Sequence, residues 1–183
     1  MNVNLSPIRT KENLEMVRDS YLSKQARWRW SVLVCAGAGC ISCDCVQVQS
    51  ALIEALHVVG IQNEVQVKMT GCMGICDLGP VMLVQPGGVF YCKLKPENMI
   101  TIVRQHLVHQ TIVEELCPVD PRTGKHVTHL NDLDFFNRQK KIVLKNCGKI
   151  DYSSLEEYIA QDGFFALEQA LGTMTPEQVV EEI

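Results

Sequence analysis

The sequence predicts an α/β layer structure: a small mixed sheet with helices packed on it, then a linker and a small, mostly helical segment. Three observations lead there. Two β-rich runs, Ser31–Cys35 and Glu64–Met69, flank a stretch of helical periodicity at 45–59, which is the pattern of a parallel pair with its crossover. Val81–Val84 and Val89–Cys92 flank Pro86-Gly87-Gly88, which is the pattern of an antiparallel hairpin. Helical periodicity then resumes from Pro96 to His109.

Residues 11–29 read as a first helix, with Leu14, Val17, Tyr21 and Leu22 near helical spacing among charged neighbours. After the first strand, Ala36-Gly37-Ala38-Gly39-Cys40 is a loop of small residues. In the second helix Val48, Leu52, Ala55, Leu56 and Val59 form one stripe, and Gly60 supplies the stop. Glu64–Met69 alternates polar and apolar, as a half-buried strand does. Gly71–Gly79 is a second small-residue loop. Pro96 suits a first helical turn, and Met99, Ile100, Val103 and Leu107 give that helix its inward face. Prolines, glycine and Asn131-Asp132 interrupt residues 110–138, apart from a short element at Ile112–Leu116. Lys141–Lys145 reads as a strand. Ser153–Ala160, Phe164–Leu171 and Pro176–Ile183 read as three short helices, the last capped by Thr175.

Composition narrows the function. Hydrophobic residues make up 46% of the 183, enough for a packed core. A net charge of -4 argues against a nucleic-acid partner, which needs a concentrated basic surface. The dense basic run is Arg138, Lys140, Lys141 and Lys145, read as a solvated edge. No stretch is long and apolar enough for direct membrane insertion, and charges interrupt the first thirty residues where an export signal would be apolar. A cytoplasmic location is expected.

The cysteines carry the chemistry. There are nine, an odd number, in a chain expected in a reducing compartment, so a disulfide framework is a poor account of them. Cys35 and Cys40 are spaced C-x4-C, and Cys72 and Cys76 C-x3-C. Each pair lies in a glycine-rich loop after a strand. Two loops at one end of a sheet can bring four thiolates to one small volume, and glycine lets backbone come close to it. No Lys or Arg occurs from Cys35 to Val67, which suits an apolar shell for electron transfer better than a phosphate or hydrolytic site. An iron–sulfur cluster fits the spacing better than a four-cysteine zinc site, but spacing alone leaves zinc open. A thiol–disulfide site at Cys40-Ile41-Ser42-Cys43 is a weaker third reading.

Val32–Cys40 resembles the first ligand loop of thioredoxin-like [2Fe–2S] ferredoxin domains, and Thr70-Gly71-Cys72-Met73-Gly74-Ile75-Cys76-Asp77-Leu78-Gly79-Pro80 resembles the second. Val89-Phe90-Tyr91 and Lys95-Pro96-Glu97 fit as well. The resemblance covers about 30–110. It implies a thioredoxin-like fold and one [2Fe–2S] cluster on Cys35, Cys40, Cys72 and Cys76. Lys141–Asp151 is similar to the start of the NADH-binding flavoprotein subunit of complex I and its hydrogenase relatives, supported by Glu156–Ala160 and Met174–Glu177. A ferredoxin domain followed by a flavoprotein is similar to subunits of NADP-reducing and electron-bifurcating hydrogenases. That implies an electron-transfer module of an NAD(P)H-linked oxidoreductase, with the other subunits of such a complex as partners.

The glycine-rich FMN- and NADH-binding segment of those subunits has no counterpart here, so FMN and NAD(P)H are not expected on this chain, and a truncated form is expected. The chain is not expected to be catalytic alone. The division read from sequence is an N-terminal helix at 1–29, a cluster domain at 30–110, a linker at 111–138 and a flavoprotein-like helical region at 139–183.

Cys43, Cys45, Cys92, Cys117 and Cys147 are read as thiols without a ligand role. His57 and His106 are read as partly buried or capping, and His106 with His109 as a solvated pair rather than a metal site. Trp28 and Trp30 are read as packing residues. Asp77, beside Cys76, is read as a turn cap or as a charge acting on the cluster.

Overall fold

The structure, a computed structural model, describes Ile8 and residues 10–183. Residues 1–7 and 9, part of the expected N-terminal region, lie outside the described residues. In chain order the helices are α1 Lys11–Gln25, α2 Ala38–Ser42, α3 Cys45–Val59, α4 Met99–Ile102, α5 Asp134–Asn137, α6 Leu155–Ala160, α7 Phe165–Thr173 and α8 Pro176–Glu182. The strands are β1 Trp30–Cys35, β2 Val65–Thr70, β3 Met82–Gln85 and β4 Val89–Tyr91. They divide between two compact units, residues 28–152 and residues 1–27 with 153–183.

The larger unit is built on a sheet in the order β2-β1-β3-β4. β1 and β2 run parallel, with Trp30 opposite Val65 and Cys35 opposite Thr70. β3 is antiparallel to both β1 and β4, so the sheet is mixed as expected. The parallel pairing follows from α3, a crossover that returns the chain to the same edge. Val48, Leu52, Ala55 and Leu56 of α3 are buried, and Gly60 ends the helix in a left-handed conformation. Burying a residue such as Leu52 fully contributes about 1.5–3 kcal/mol. Beyond Pro96–Asn98 and α4, Val103–Val108 widens into a π-turn. Met99, Ile102, Val103, His106 and Leu107 point inward, whereas Ile100 is only half-buried.

Within this core, Tyr91 is fully buried, and its hydroxyl lies 2.9 Å from Nδ1 of His106. The Val113 N–H donates to the same hydroxyl at 3.3 Å. Trp30 stands edge-on to His106 at 5.4 Å and donates from Nε1 to the Leu107 carbonyl at 3.1 Å. Trp30 is thus a packing residue. His106 is buried with a named partner, whereas His57 is exposed.

Several local expectations need correcting. The first cysteine loop closes into α2, because the Gly37 carbonyl accepts the Ile41 N–H at 2.9 Å and completes a helical turn. β2 does not alternate cleanly: Val65, Lys68 and Thr70 are buried while Val67 and Met69 are half-buried. Lys141–Lys145 is not a strand. Its backbone runs through consecutive turns, with the Cys147 N–H on the Leu144 carbonyl at 3.1 Å and Val143 91% exposed.

The expected linker at 111–138 instead lies within the larger unit and carries backbone bonds to the sheet. Phe90 donates to the Thr128 carbonyl at 2.9 Å, Leu130 to that of Gly88 at 3.0 Å and Cys92 to that of Leu116 at 2.9 Å. These bonds satisfy the otherwise open edge of β4. On the opposite edge, Asp151 bridges Thr70, and Tyr152 donates to the Met69 carbonyl at 3.4 Å.

The smaller unit is helical. The Thr10 side chain caps α1 by accepting from the Asn13 N–H at 3.4 Å, and α1 packs on α6 and α7. Leu14 and Ile159 are buried, and Arg18 lies 5.2 Å over the Phe165 ring. The short helices read from the sequence appear as α6, α7 and α8. Thr175 and Gln178 form a reciprocal capping box at the start of α8.

Candidate metal centre

The four cysteines singled out by spacing arrive from two directions. Cys35 ends β1 and Cys40 lies in α2, both 1% exposed. Cys72 follows β2 and is half-buried, and Cys76 opens a short 3-10 turn and is exposed. The parallel register places Cys35 opposite Thr70, so both loops leave the same end of the sheet. Two backbone bonds tie that end together, Ala36 N–H to the Thr70 carbonyl at 2.9 Å and Cys35 N–H to the Val81 carbonyl at 3.1 Å.

The loops interlock through glycine. A Cβ on Gly37 would lie 2.8 Å from the Cβ of Cys72 and 3.1 Å from its sulfur. One on Gly39 would lie 3.3 Å from the Cβ of Cys76, and one on Gly79 3.2 Å from the sulfur of Cys40. Each loop therefore needs a missing side chain where a cysteine of the other loop sits. Within the second loop the sulfurs of Cys72 and Cys76 are 3.9 Å apart. The Gly74 N–H donates to the sulfur of Cys72 at 3.3 Å, and Gly74 adopts φ +90°, a left-handed conformation that favours glycine.

Electrostatics link Cys40 to Cys35, and Cys76 to Cys72 and Cys35. Burial, followed by the hydrogen bond and charge of Cys35, pushes the Cys40 thiol up to about 12. The Cys76 thiol is raised first by its hydrogen bond to Cys72, with Cys35 a lesser contributor. Cys45 is raised by burial and then by Cys35. The positive charge of a metal held here would favour the thiolate forms of Cys40 and Cys76. The donor set is all sulfur, which selects soft metal centres. Among the described residues, no three Cys, His, Asp or Glu side chains already converge as a site for a single metal ion.

A thiol–disulfide role for Cys40 and Cys43 fits poorly. Cys40 is buried with a raised thiol, the reverse of the low-pKa, accessible sulfur such chemistry uses, while Cys43 is exposed. Cys92 and Cys117 are buried, and burial pushes the Cys117 thiol up to about 12.

Sequence reasoning missed the cover over the second loop. The Gly148 N–H donates to the hydroxyl of Thr70 at 3.0 Å, and Gly148 packs on Met73. A Cβ on Gly71 would lie 3.1 Å from the sulfur of Cys147. Lys141 donates from Nζ to the Met73 carbonyl at 3.3 Å, so one member of the basic run is partly buried here rather than on a solvated edge. The visible signal was that run, with a cysteine and a glycine close behind it.

The chain is similar to several known proteins. The family model described as thioredoxin-like [2Fe-2S] ferredoxin matches residues 19–107. A curated relative, "Ferredoxin, 2Fe-2S" of Clostridium pasteurianum, is 34% identical over 77 residues, covering 42% of this chain and 76% of its own length. A solved thioredoxin-like [2Fe-2S] ferredoxin from Aquifex aeolicus is 31% identical, with a TM-score of 0.46, covering 49% of this chain and 89% of that one. A chain of an NAD+-reducing [NiFe]-hydrogenase is 14% identical with a TM-score of 0.41, covering 60% of this chain and 23% of that one.

Proposed function

Because the chain belongs to the thioredoxin-like [2Fe-2S] ferredoxin family, we propose that Cys35, Cys40, Cys72 and Cys76 hold its one [2Fe–2S] cluster and that the chain serves an NAD(P)H-linked oxidoreductase complex as an electron relay. The observation that carries this reading is the interlock of the loops, in which Gly37, Gly39 and Gly79 each face a cysteine of the candidate set across the site. When bound, the cluster supplies a site that accepts and returns one electron.

The chain's own residues do the rest. The sulfurs come as two close pairs, Cys35 with Cys40 and Cys72 with Cys76, which suits two irons taking two thiolates each. The Gly74 N–H spreads the charge of the Cys72 sulfur and so favours the reduced state. Cys35 and Cys40 close the site on the core side. The exposed Cys76 leaves an edge open to a partner.

The partner reading rests on the resemblance of Lys141–Asp151 to the start of an NADH-binding flavoprotein subunit. In this reading the flavin lies on another polypeptide segment, and FMN and NAD(P)H do not bind residues 1–183. Nine cysteines, none of them in a disulfide, suit a reducing compartment such as the cytoplasm. No helix among the described residues is long and apolar enough to cross a membrane.

Single serine substitutions at the four cysteines test the ligand set. Each is expected to lose most of the iron or to change the EPR spectrum of the reduced protein, while Cys43→Ser keeps both. Wild-type spectra in Cys72→Ser and Cys76→Ser would overturn the assignment.

A further inference from the structure

Met73 and Gly74 share one peptide unit, and both of its ends are engaged. On one side the Gly74 N–H donates to the sulfur of Cys72 at 3.3 Å. On the other, the Met73 carbonyl accepts from the ammonium of Lys141 at 3.3 Å. The lysine comes from 68 residues further along the chain, beyond the segment that covers the β4 edge. We propose that Lys141 is a positioning residue that polarises the Met73–Gly74 peptide and thereby raises the reduction potential of the centre held by Cys72. The inference rests on the ligand assignment above.

A charged donor on a carbonyl draws electron density through the amide and makes its N–H a stronger donor, as in any hydrogen-bonded chain in a low-dielectric setting. A stronger N–H bond to the cysteine sulfur stabilises the more negative, reduced state. The ammonium adds its own field at a place where charge is weakly screened, since Lys141 is partly buried.

The surroundings hold it there. Its Nζ lies 4.8 Å over the ring of Phe136, which is itself 9% exposed. Phe135 lies beside Gly74, 3.9 Å from where a Cβ would stand. Gly148 and its bond to Thr70 close the far end of the loop. Gly74 is left-handed, at φ +90°, a conformation that favours glycine. No Lys or Arg occurs between Cys35 and Val67, so the first loop has no cation in sequence to dilute the effect.

The test uses the full chain in four forms: wild type, Lys141→Met, Lys141→Arg and Lys145→Met. Lys145 is an exposed lysine of the same segment and controls for simple loss of charge. In an anaerobic redox titration, Lys141→Met should lower the reduced-to-oxidised ratio at the wild-type midpoint on the order of fivefold, about 40 mV for one electron. Lys141→Arg and Lys145→Met should each stay within about twofold of wild type, since one keeps a charged donor and the other removes a screened charge. A shift in Lys141→Met no larger than in Lys145→Met would overturn the proposal.

Amide hydrogen exchange at Gly74 supplies a second readout that needs no electron transfer. Exchange should be several-fold faster in Lys141→Met and restored in Lys141→Arg, and equal rates in all forms would overturn the proposal. If wild type holds zinc in place of iron and sulfide, the electron-relay reading fails and the Lys141 claim on potential fails with it. The exchange rates then decide only whether the lysine still polarises the peptide.

Discussion

Replacing Gly37 with alanine probes how closely the two cysteine loops approach. Gly37 has φ -65°, so alanine fits the backbone without strain and the effect is one of contact alone. The new methyl would stand 2.8 Å from the Cβ of Cys72 and 3.3 Å from its Cα, whereas ordinary contact begins at 3.4 Å. The sulfur of Cys72, at 3.1 Å, could rotate away, but its Cβ at 2.8 Å and its Cα at 3.3 Å cannot, so the loops must part by about 0.6 Å. Overpacking of this kind costs about 1–3 kcal/mol. Metal–ligand distances tolerate only about 0.2 Å, so the strain falls on the metal site. At about 1.4 kcal/mol per tenfold, retention of the centre should weaken about 5- to 150-fold.

The assay is anaerobic purification, iron and sulfide analysis, then loss of visible absorbance under a chelator. Gly39→Ala serves as the graded comparison, because its methyl would meet only the Cys76 side chain, at 3.3 and 3.4 Å. It should lose the centre only slightly faster than wild type. A Gly37→Ala protein that holds its metal as firmly as wild type would refute the reasoning.

Two further predictions concern the core behind the site. Tyr91→Phe leaves His106 Nδ1 and the Val113 N–H without their partner in a buried setting, which should cost about 2–4 kcal/mol. A urea titration read by tryptophan fluorescence measures it, with Trp30 beside the lesion, and a loss under about 1 kcal/mol would contradict the network. Burial, and secondarily His129, hold the His106 imidazole below its ordinary value of 6.5. The unfolded chain then takes up a proton that the folded ring refuses, so this contribution is complete above about pH 6.5 and is lost as pH falls through the folded value. The slope reaches at most about 1.4 kcal/mol per pH unit, and denaturation series at stepped pH should show it in wild type and not in His106→Gln.

What the sequence revealed depended on how local the signal was. The stripe of α3 ended by Gly60, the hairpin around Pro86-Gly87-Gly88 and the cap of α8 are each fixed by residues within a few positions, and each appears as read. The parallel pairing of β1 and β2 followed from the helix between them. Residues 111–138 misled because backbone groups make their bonds to the sheet, and backbone bonds leave no side-chain period. Lys141–Lys145 has a strand-like composition, but turns carry it past the second cysteine loop with Val143 in solvent. Two glycine-flanked cysteine pairs were legible as a candidate site. The interlock of Gly37 with Cys72 and the reach of Lys141 to Met73 were not, since both join residues far apart in sequence. Ile102, not Ile100, completes the inward face, since Met99, Ile102, Val103, His106 and Leu107 follow ordinary helical spacing.

What Cys35, Cys40, Cys72 and Cys76 hold decides between electron transfer and a structural role. Iron, acid-labile sulfide and zinc should be measured on anaerobically purified wild-type protein, together with an EPR spectrum after reduction. A [2Fe–2S] centre predicts two irons and two sulfides per chain and a one-electron reduced signal. Colourless protein with one zinc per chain and no signal on reduction would contradict it.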